Sequence, residues 1–406
     1  MVRRKKLQLL SLCVGVAALA AFLLIQSGPV NATNNVAATW KVVASPNPAS
    51  VTNILNGLTV LAPNNAWAVG SALDKAHGNQ TLIEHWNGKK WQVIASPTPN
   101  IFITHAGHLA SVAAAGPNDV WAVGEYISSV LGSTHTLIEH WNGKQWSIVP
   151  SPNPGAFLNT MSSITALAPH NIWATGTYSS AKDGSTKAMI LHWNGKAWSV
   201  VATPAPANFS NLLNSLTAVA PNNIWAVGAM VNKQNNSAQS QVLIEHWNGT
   251  HWSRVAGPAL PRGASGAFLQ GISRAPGSNL IWAVGGYYRG GQSRLSTLIE
   301  VWNGKKWTII ASPNRNNIDN MLMSVTATAA NSIWAVGGTS KNGPGQSLIE
   351  HWDGARWTIV NNPNPGPSTT VHFLTSVMYI PRSKHIWCVG FYGDGAKAAT
   401  LTELFG

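Results

Sequence analysis

Four times the chain sets a glutamate directly before a histidine: Glu84-His85, Glu139-His140, Glu245-His246 and Glu350-His351. An acid beside an imidazole is a pairing used both in general acid–base catalysis and at metal centres. Each pair lies inside a phrase that recurs: "LIEHWNGKKW" at 82–91, then close variants at 137–146, 243–252, 298–307 and 348–357. Other copies depart from it. Leu191 replaces the acid before His192, while Val301 and Leu404 follow Glu300 and Glu403 where a histidine is expected. Residues that recur in every unit, with apolar stand-ins tolerated, serve a shared fold. The repeat histidines are therefore expected to bind no metal and catalyse nothing. The acids should satisfy polar groups between strands or face solvent on an outer rim.

Other reactive residues are few. His105-x-x-His108 is a lone pair, too little for a zinc site. Cys13 falls in the leader-like N-terminus, so Cys388, inside "IWCVG", has no intramolecular partner and reads as a small core residue. Acids outside the repeat position are Asp74, Asp119, Glu125, Asp183, Asp319, Asp353 and Asp394, and no two are spaced as an acid–base couple. The sequence assigns no catalytic residue, no metal ligand and no cofactor.

The elements that carry these residues repeat as well. "WAVG" or a near variant begins at Trp67, Trp121, Trp173, Trp225, Trp282, Trp334 and Trp387, at intervals of 52–57 residues. Around each lies a short apolar strand, a tight turn, the WAVG strand, a long polar loop and the "LIEHW" strand. An Asn-Gly hairpin and a last strand opening on Trp follow. Asn-Gly between apolar strands predicts a two-residue hairpin with positive φ at both central residues. Seven units of four antiparallel strands predict an all-β fold, a single seven-bladed β-propeller. The ends agree: "TLTELFG" (400–406) lacks a fourth strand, and "TWKVVASPNP" (39–48) supplies one, so the N-terminal strand is expected to complete the last blade and close the ring. All 20 tryptophans fall on three repeat positions, and Phe405 takes the one left over. Stacked indoles should fill the wedges between blades.

Only 10% of residues are charged, and the formal charge is +13. Four of those cations form "RRKK" (3–6), followed by an apolar run at 7–25 and small residues at 30–32. That order reads as an export signal or an N-terminal anchor at 1–32, with the propeller at 33–406. The protein is expected outside the cytoplasm, secreted or at the cell surface, as a monomer. It would touch a membrane only through 1–32 if that segment is uncleaved. No later run of Lys and Arg marks a nucleic-acid footprint.

A hydrophobic strand ending in Gly, an aromatic before a tight turn and Trp on the next strand resemble Kelch and galactose-oxidase-like propellers. Doubled glycines of the Kelch kind stand only at Gly285-Gly286 and Gly337-Gly338. The "NG-x-x-W" turn is similar to the Asp-box of sialidase-type propellers, with Trp86 where the key Asp would stand, and "WAVG" resembles photosystem assembly-factor propellers. The galactose-oxidase likeness would imply a copper site with a cysteine beside a tyrosine, and the sialidase likeness an arginine triad. Neither constellation is present in the sequence.

The short uniform turns define a plain face, and the variable D–A and B–C loops define the face expected to bind. Two residues past the WAVG glycine stand Tyr126, Tyr178, Tyr287 and Tyr392, predicted to ring a channel mouth. Glu125, Asp183, Arg289, His108, His372, Asp319, Lys341 and Asp394 lie on or beside the same loops. Small residues at Gly57, Ser111, Ser163, Ser215, Gly271, Ser324 and Ser376 should leave the channel open. Such a mouth suits a glycan or a protein segment. An extracellular oxidase or glycosidase acting at the same face is the competing expectation.

Overall fold

The computed structural model describes residues 38–97, 99, 107–127, 132–204, 206, 209–232, 240–290, 294–340 and 345–406. The leader-like segment 1–32, His105 and Lys341 lie outside the described residues. Every regular element among the described residues is a β-strand.

The first unit shows how the repeat folds. Its A strand is Thr52–Ala62, its B strand Asn65–Asp74, its C strand Gly78–Trp86 and its D strand Trp91–Val93. The C–D connection differs from a two-residue hairpin. Asn87 keeps negative φ and only Gly88 is positive, at +89°. The Asn87 side chain instead accepts from the backbone N–H groups of Lys89 (3.0 Å) and Lys90 (3.1 Å). Asn is needed here as a side-chain cap on a four-residue turn, so the positive φ falls on Gly alone.

The A strands bulge at Leu55/Gly57 and at the equivalent place in every other unit. The bulge brings the A-strand backbone over the WAVG glycine. A Cβ on Gly70 would overlap the carbonyl oxygen of Ile54, and one on Gly124 that of His108. Glycine is required there by close approach of two backbones.

Five four-stranded sheets stand apart, and an eight-stranded sheet combines the first and last units through a single parallel bridge, Thr52 to Ala398. That makes seven four-stranded units. The strand Trp40–Val42 pairs antiparallel with Ala398–Phe405 as the fourth strand of the last unit.

Apolar side chains from adjacent units meet in seven clusters. In the first of them Trp67, Val69 and Ile83 pack on Leu109, Val112 and Trp146 of the second unit. Each WAVG indole meets two aromatic rings of the next unit: Trp67 lies 5.0 Å from Trp141 and 5.4 Å, edge-on, from Trp146. In the last pairings Trp334 meets Phe405 and Trp40, and Trp387 meets Trp86 and Trp91. Tilted and edge-to-face rings add about 0.5–1.5 kcal/mol per pair beyond the area they bury.

The repeat polar residues join this packing. His85 lies over Trp67 at 4.3 Å and hydrogen-bonds Asn65 at 3.0 Å; His140 lies over Trp121 at 4.2 Å and bonds Asp119 at 2.8 Å. The glutamates do not reach solvent. Glu84, Glu139, Glu245, Glu300, Glu350 and Glu403 are all fully buried.

Candidate functional site: the central cavity and its mouth

All seven A strands line one cavity of about 640 Å³. The expected small residues, Gly57, Ser111, Ser163, Ser215, Gly271, Ser324 and Ser376, are all among its lining. They also join neighbouring units. Ser111 Oγ accepts from the Ile164 N–H at 3.3 Å, and Ser163 Oγ from the Leu216 N–H at 3.4 Å. One residue earlier, Asn56 donates to the Leu109 carbonyl (2.9 Å) and Asn214 to that of Leu269 (2.8 Å). The same bond links the last unit to the first, where Thr375 Oγ1 donates to the Leu55 carbonyl at 2.7 Å.

Toward the B–C loop end, two cross-strand positions pair in the same register in each unit: the A-strand residue before the buried Leu or Met, and the B-strand residue just after the WAVG glycine. In the second unit these are His108 and Glu125, which line the cavity with Nδ1 and Oε1 3.6 Å apart. In the third they are Thr160 and Thr177, joined Oγ1 to Oγ1 at 3.1 Å. The same register places Leu212 in the fourth unit, Phe268 with Gly286 in the fifth, Met321 with Gly338 in the sixth, and Phe373 with Phe391 in the seventh. All four large A-strand side chains are half-buried. A Cβ on Gly286 would lie 3.2 Å from the Phe268 ring, and one on Gly338 would overlap the Phe373 ring. Gly338 thus makes room for the Phe373 ring, and Gly286 for Leu295 and Phe268 together. These register positions are polar on units two and three, where His108, Glu125 and Thr160 line the cavity, and carry a large apolar A-strand side chain on units four to seven.

Of the expected site residues the structure brings His108 and Glu125 together at this mouth. Tyr126, Tyr178, Tyr287 and Tyr392 sit one residue further along the B strand, on the other side of the pleat. Each is half-buried against the apolar cluster between two units. Tyr126 also meets His135, Oη to Nδ1, at 3.3 Å. Tyr392 stacks on His372 with the rings 5° from parallel, and lines a second cavity of about 350 Å³ with Asn47, Ser50, Asp394 and Lys397. His372 is itself buried, with Nε2 on the Pro365 carbonyl, and so pins a D–A loop. Asp319 accepts from the Leu295 N–H at 2.8 Å, Asp183 from Ser185 Oγ at 2.6 Å, and Arg289 is exposed at the end of its strand.

Phe268, Phe373 and Phe391 were not singled out by sequence reasoning. For Phe268 and Phe373 the signal available was the doubled glycine, whose second member meets no backbone and so marks a neighbouring bulky side chain. Among the described residues no group of three potential metal ligands comes together.

No family model matches the chain, and no curated protein matches it in sequence. Solved structures align along most of it. YCF48 bound to D1 peptide is 14% identical with a TM-score of 0.51, covering 90% of this chain and 94% of its own. A polysaccharide lyase, PL25 ulvan lyase bound to -[GlcA(1-4)Rha3S]-, is 10% identical with a TM-score of 0.54, covering 89% and 92%. At such identities the likeness speaks for fold. The chain is an all-β propeller built from repeated four-stranded sheets.

Proposed function

We propose that the chain is an exported, monomeric, non-catalytic binding propeller. Its seven units close into one ring, and it takes a polypeptide segment at the B–C end of the channel. The observation that carries this reading is the two-sided mouth. His108 and Glu125 line the cavity as a polar, anionic side, and Leu212, Phe268, Met321 and Phe373 offer half-buried apolar surface at the equivalent register positions of four other units. An extended peptide with an apolar side chain beside a Lys or Arg matches both sides at once. The solved structure of YCF48 bound to a peptide makes such use of the fold reasonable.

The runner-up is an extracellular carbohydrate-active enzyme at the same mouth, which the ulvan lyase likeness brings forward. Glu125 is the sole carboxylate among the cavity-lining residues. Glycoside hydrolysis by the usual route takes two, which weighs against a glycosidase at this mouth.

Panning a phage-displayed peptide library on the purified protein, with a glycan array alongside, tests the reading. Enriched peptides should pair apolar and cationic residues, and Phe373→Ser or Glu125→Gln should each weaken capture about tenfold. Enrichment indifferent to both substitutions, or capture of glycans alone, would overturn it.

A further inference from the structure

The A–B and C–D turns of a unit meet at one end of its sheet. A Cβ on Gly88 would touch Asn64, one on Gly143 Asn118, and one on Gly195 His170. Charges that lie a full repeat apart in the sequence are thereby delivered to one face. Its C–D turns present Lys89, Lys90, Lys144, Lys196, Lys305 and Lys306, all exposed. The A–B turns add Arg274, Arg382 and Lys384, also exposed. Two acids stand against them, and both are engaged: Asp119 holds His140 at 2.8 Å, and Asp353 lies 4.0 Å from Arg356. The opposite face is mixed, with Asp74, Asp183, Asp319 and Asp394 among its cations.

Two more features belong to the cationic face. Half-buried indoles sit at the base of its turns, and Trp86, Trp193 and Trp247 donate to the carbonyls of Pro63, Pro169 and Pro221 in the A–B turns. Between the fourth and fifth units a notch of about 260 Å³ opens, lined by Asn223, Arg274, Ser278, Asn279, Trp302 and Gly304. The fifth unit's A–B connection, Ala275 to Leu280, is longer than the two-residue Pro63-Asn64 link of the first, which places Ser278 and Asn279 there.

The geometry points to this face as a docking surface for an anionic phospholipid bilayer, with one phosphate headgroup seated beside Arg274. These cations are distributed over the turns of five units, one, two, three, five and seven, at the same end of each sheet. A linear polyanion would instead be matched by cations gathered along a groove. Lysines at the tips of rigid turns with indoles just behind them suit the headgroup region, which attracts basic residues and accommodates Trp. The surface lies opposite the proposed peptide mouth, so neither reading depends on the other.

The test mixes the full chain with phosphatidylcholine vesicles, with and without about one-third phosphatidylglycerol. Co-sedimentation should be at least about tenfold stronger with the anionic vesicles and should fade in about 0.5 M salt. Replacing Lys89, Lys90, Lys305 and Lys306 by Gln should abolish most of that ratio, and Arg274→Gln alone should lower it severalfold. Gln at Lys75 and Lys182, on the opposite face, should leave it unchanged. Segment 1–32 is common to every variant, so any anchoring through it cancels in the comparison. An unchanged ratio in the four-lysine variant overturns the proposal. So does capture by a linear polyanion such as polyphosphate without capture by anionic vesicles.

Discussion

Ser96 of the first unit donates its hydroxyl to Glu139 of the second at 2.8 Å, across the boundary between their sheets. The same hydroxyl touches Thr81 at 2.7 Å, so a threonine, a serine and a buried carboxyl run from one unit into the next. Ser45–Glu84 and Ser312–Glu350 repeat the contact at 2.6 Å, and Asn362 meets Glu403 at 3.0 Å. These carboxyls have lost their water. Burial pushes Glu139, Glu300, Glu350 and Glu403 up to about 8, and Glu84 and Glu245 up to about 7.

Stability should therefore fall as pH rises. A carboxyl whose folded pKa is raised holds its proton in the folded state while the unfolded chain has released it, so stability is full below the unfolded value and lost through the folded one. His85, His192, His246 and His351 are shifted down by burial and act oppositely, losing stability below their usual range. Between about pH 6.5 and 8.5 those histidines shed only the remaining half of their unfolded-state protons, a smaller opposing effect, and the glutamates dominate. Melting temperature should drop across that window, as stability declines by on the order of 1–2 kcal/mol per carboxyl. Glu139→Gln should flatten the slope. A melting temperature constant or rising over this range refutes the account.

Gly257 stands where Ser96 stands in its own unit, and Glu300 has no hydrogen-bond partner for either oxygen among the described residues. A Cβ at Gly257 would meet nothing closer than 3.7 Å and would lie 4.0 Å from Glu300 Oε2. Gly257→Ser should stabilise the protein by about 0.5–1.5 kcal/mol, beyond the smaller gain from Gly257→Ala. Urea titration of the two variants side by side checks this; equal gains would show that no bond to Glu300 forms.

The doubled glycines should separate by cause. A Cβ on Gly337 would overlap the Met321 carbonyl, whereas one on Gly338 would overlap only the Phe373 ring. Gly337→Ala must push neighbouring strands apart and should cost well over about 3 kcal/mol. Gly338→Ala can displace a half-buried ring at about 1–3 kcal/mol. Thermal melts rank them, and the reverse order would contradict the bulge explanation.

Removing residues 38–48 takes away Trp40, the Ser45–Glu84 bond and the Asn47 side chain that accepts from the Thr400 N–H at 2.8 Å. The loss opens the strand edge at Ala398–Phe405 and unpacks Trp334. Stability should fall by several kcal/mol, on the order of one large core truncation or more. An unaltered melt for a chain starting at Ala49 would mean that the N-terminal strand does not complete the last unit.

Much of this architecture is legible in the sequence because it repeats. Trp at three positions per unit, Asn-Gly at one turn and an N-terminal strand completing the last unit are local signals that seven copies amplify. The tyrosines show the limit of such reading. Tyr126 and Glu125 are neighbours in the sequence, and only the pleat decides which of them shares a side with the channel, because a single residue's shift turns a side chain to the other face. The bulge in each A strand adds a further shift that spacing alone does not reveal. For the glutamates the sequence offered two environments, and only the packing of one sheet on the next removes their water.

Charge shows the same division. Along the chain Lys89, Lys144, Lys196 and Lys305 are scattered singly or in pairs among neutral turns, and no run of cations follows residue 6. The sequence alone determined that each would sit at the tip of a hairpin, since Asn-Gly permits little else between two apolar strands. That all those tips share one face, while six of the 13 acids are withdrawn into the boundaries between sheets, was decided by the tertiary structure. Antiparallel strands send every second turn to the same end of a unit, and stacking the units side by side turns a periodic sequence into a single surface.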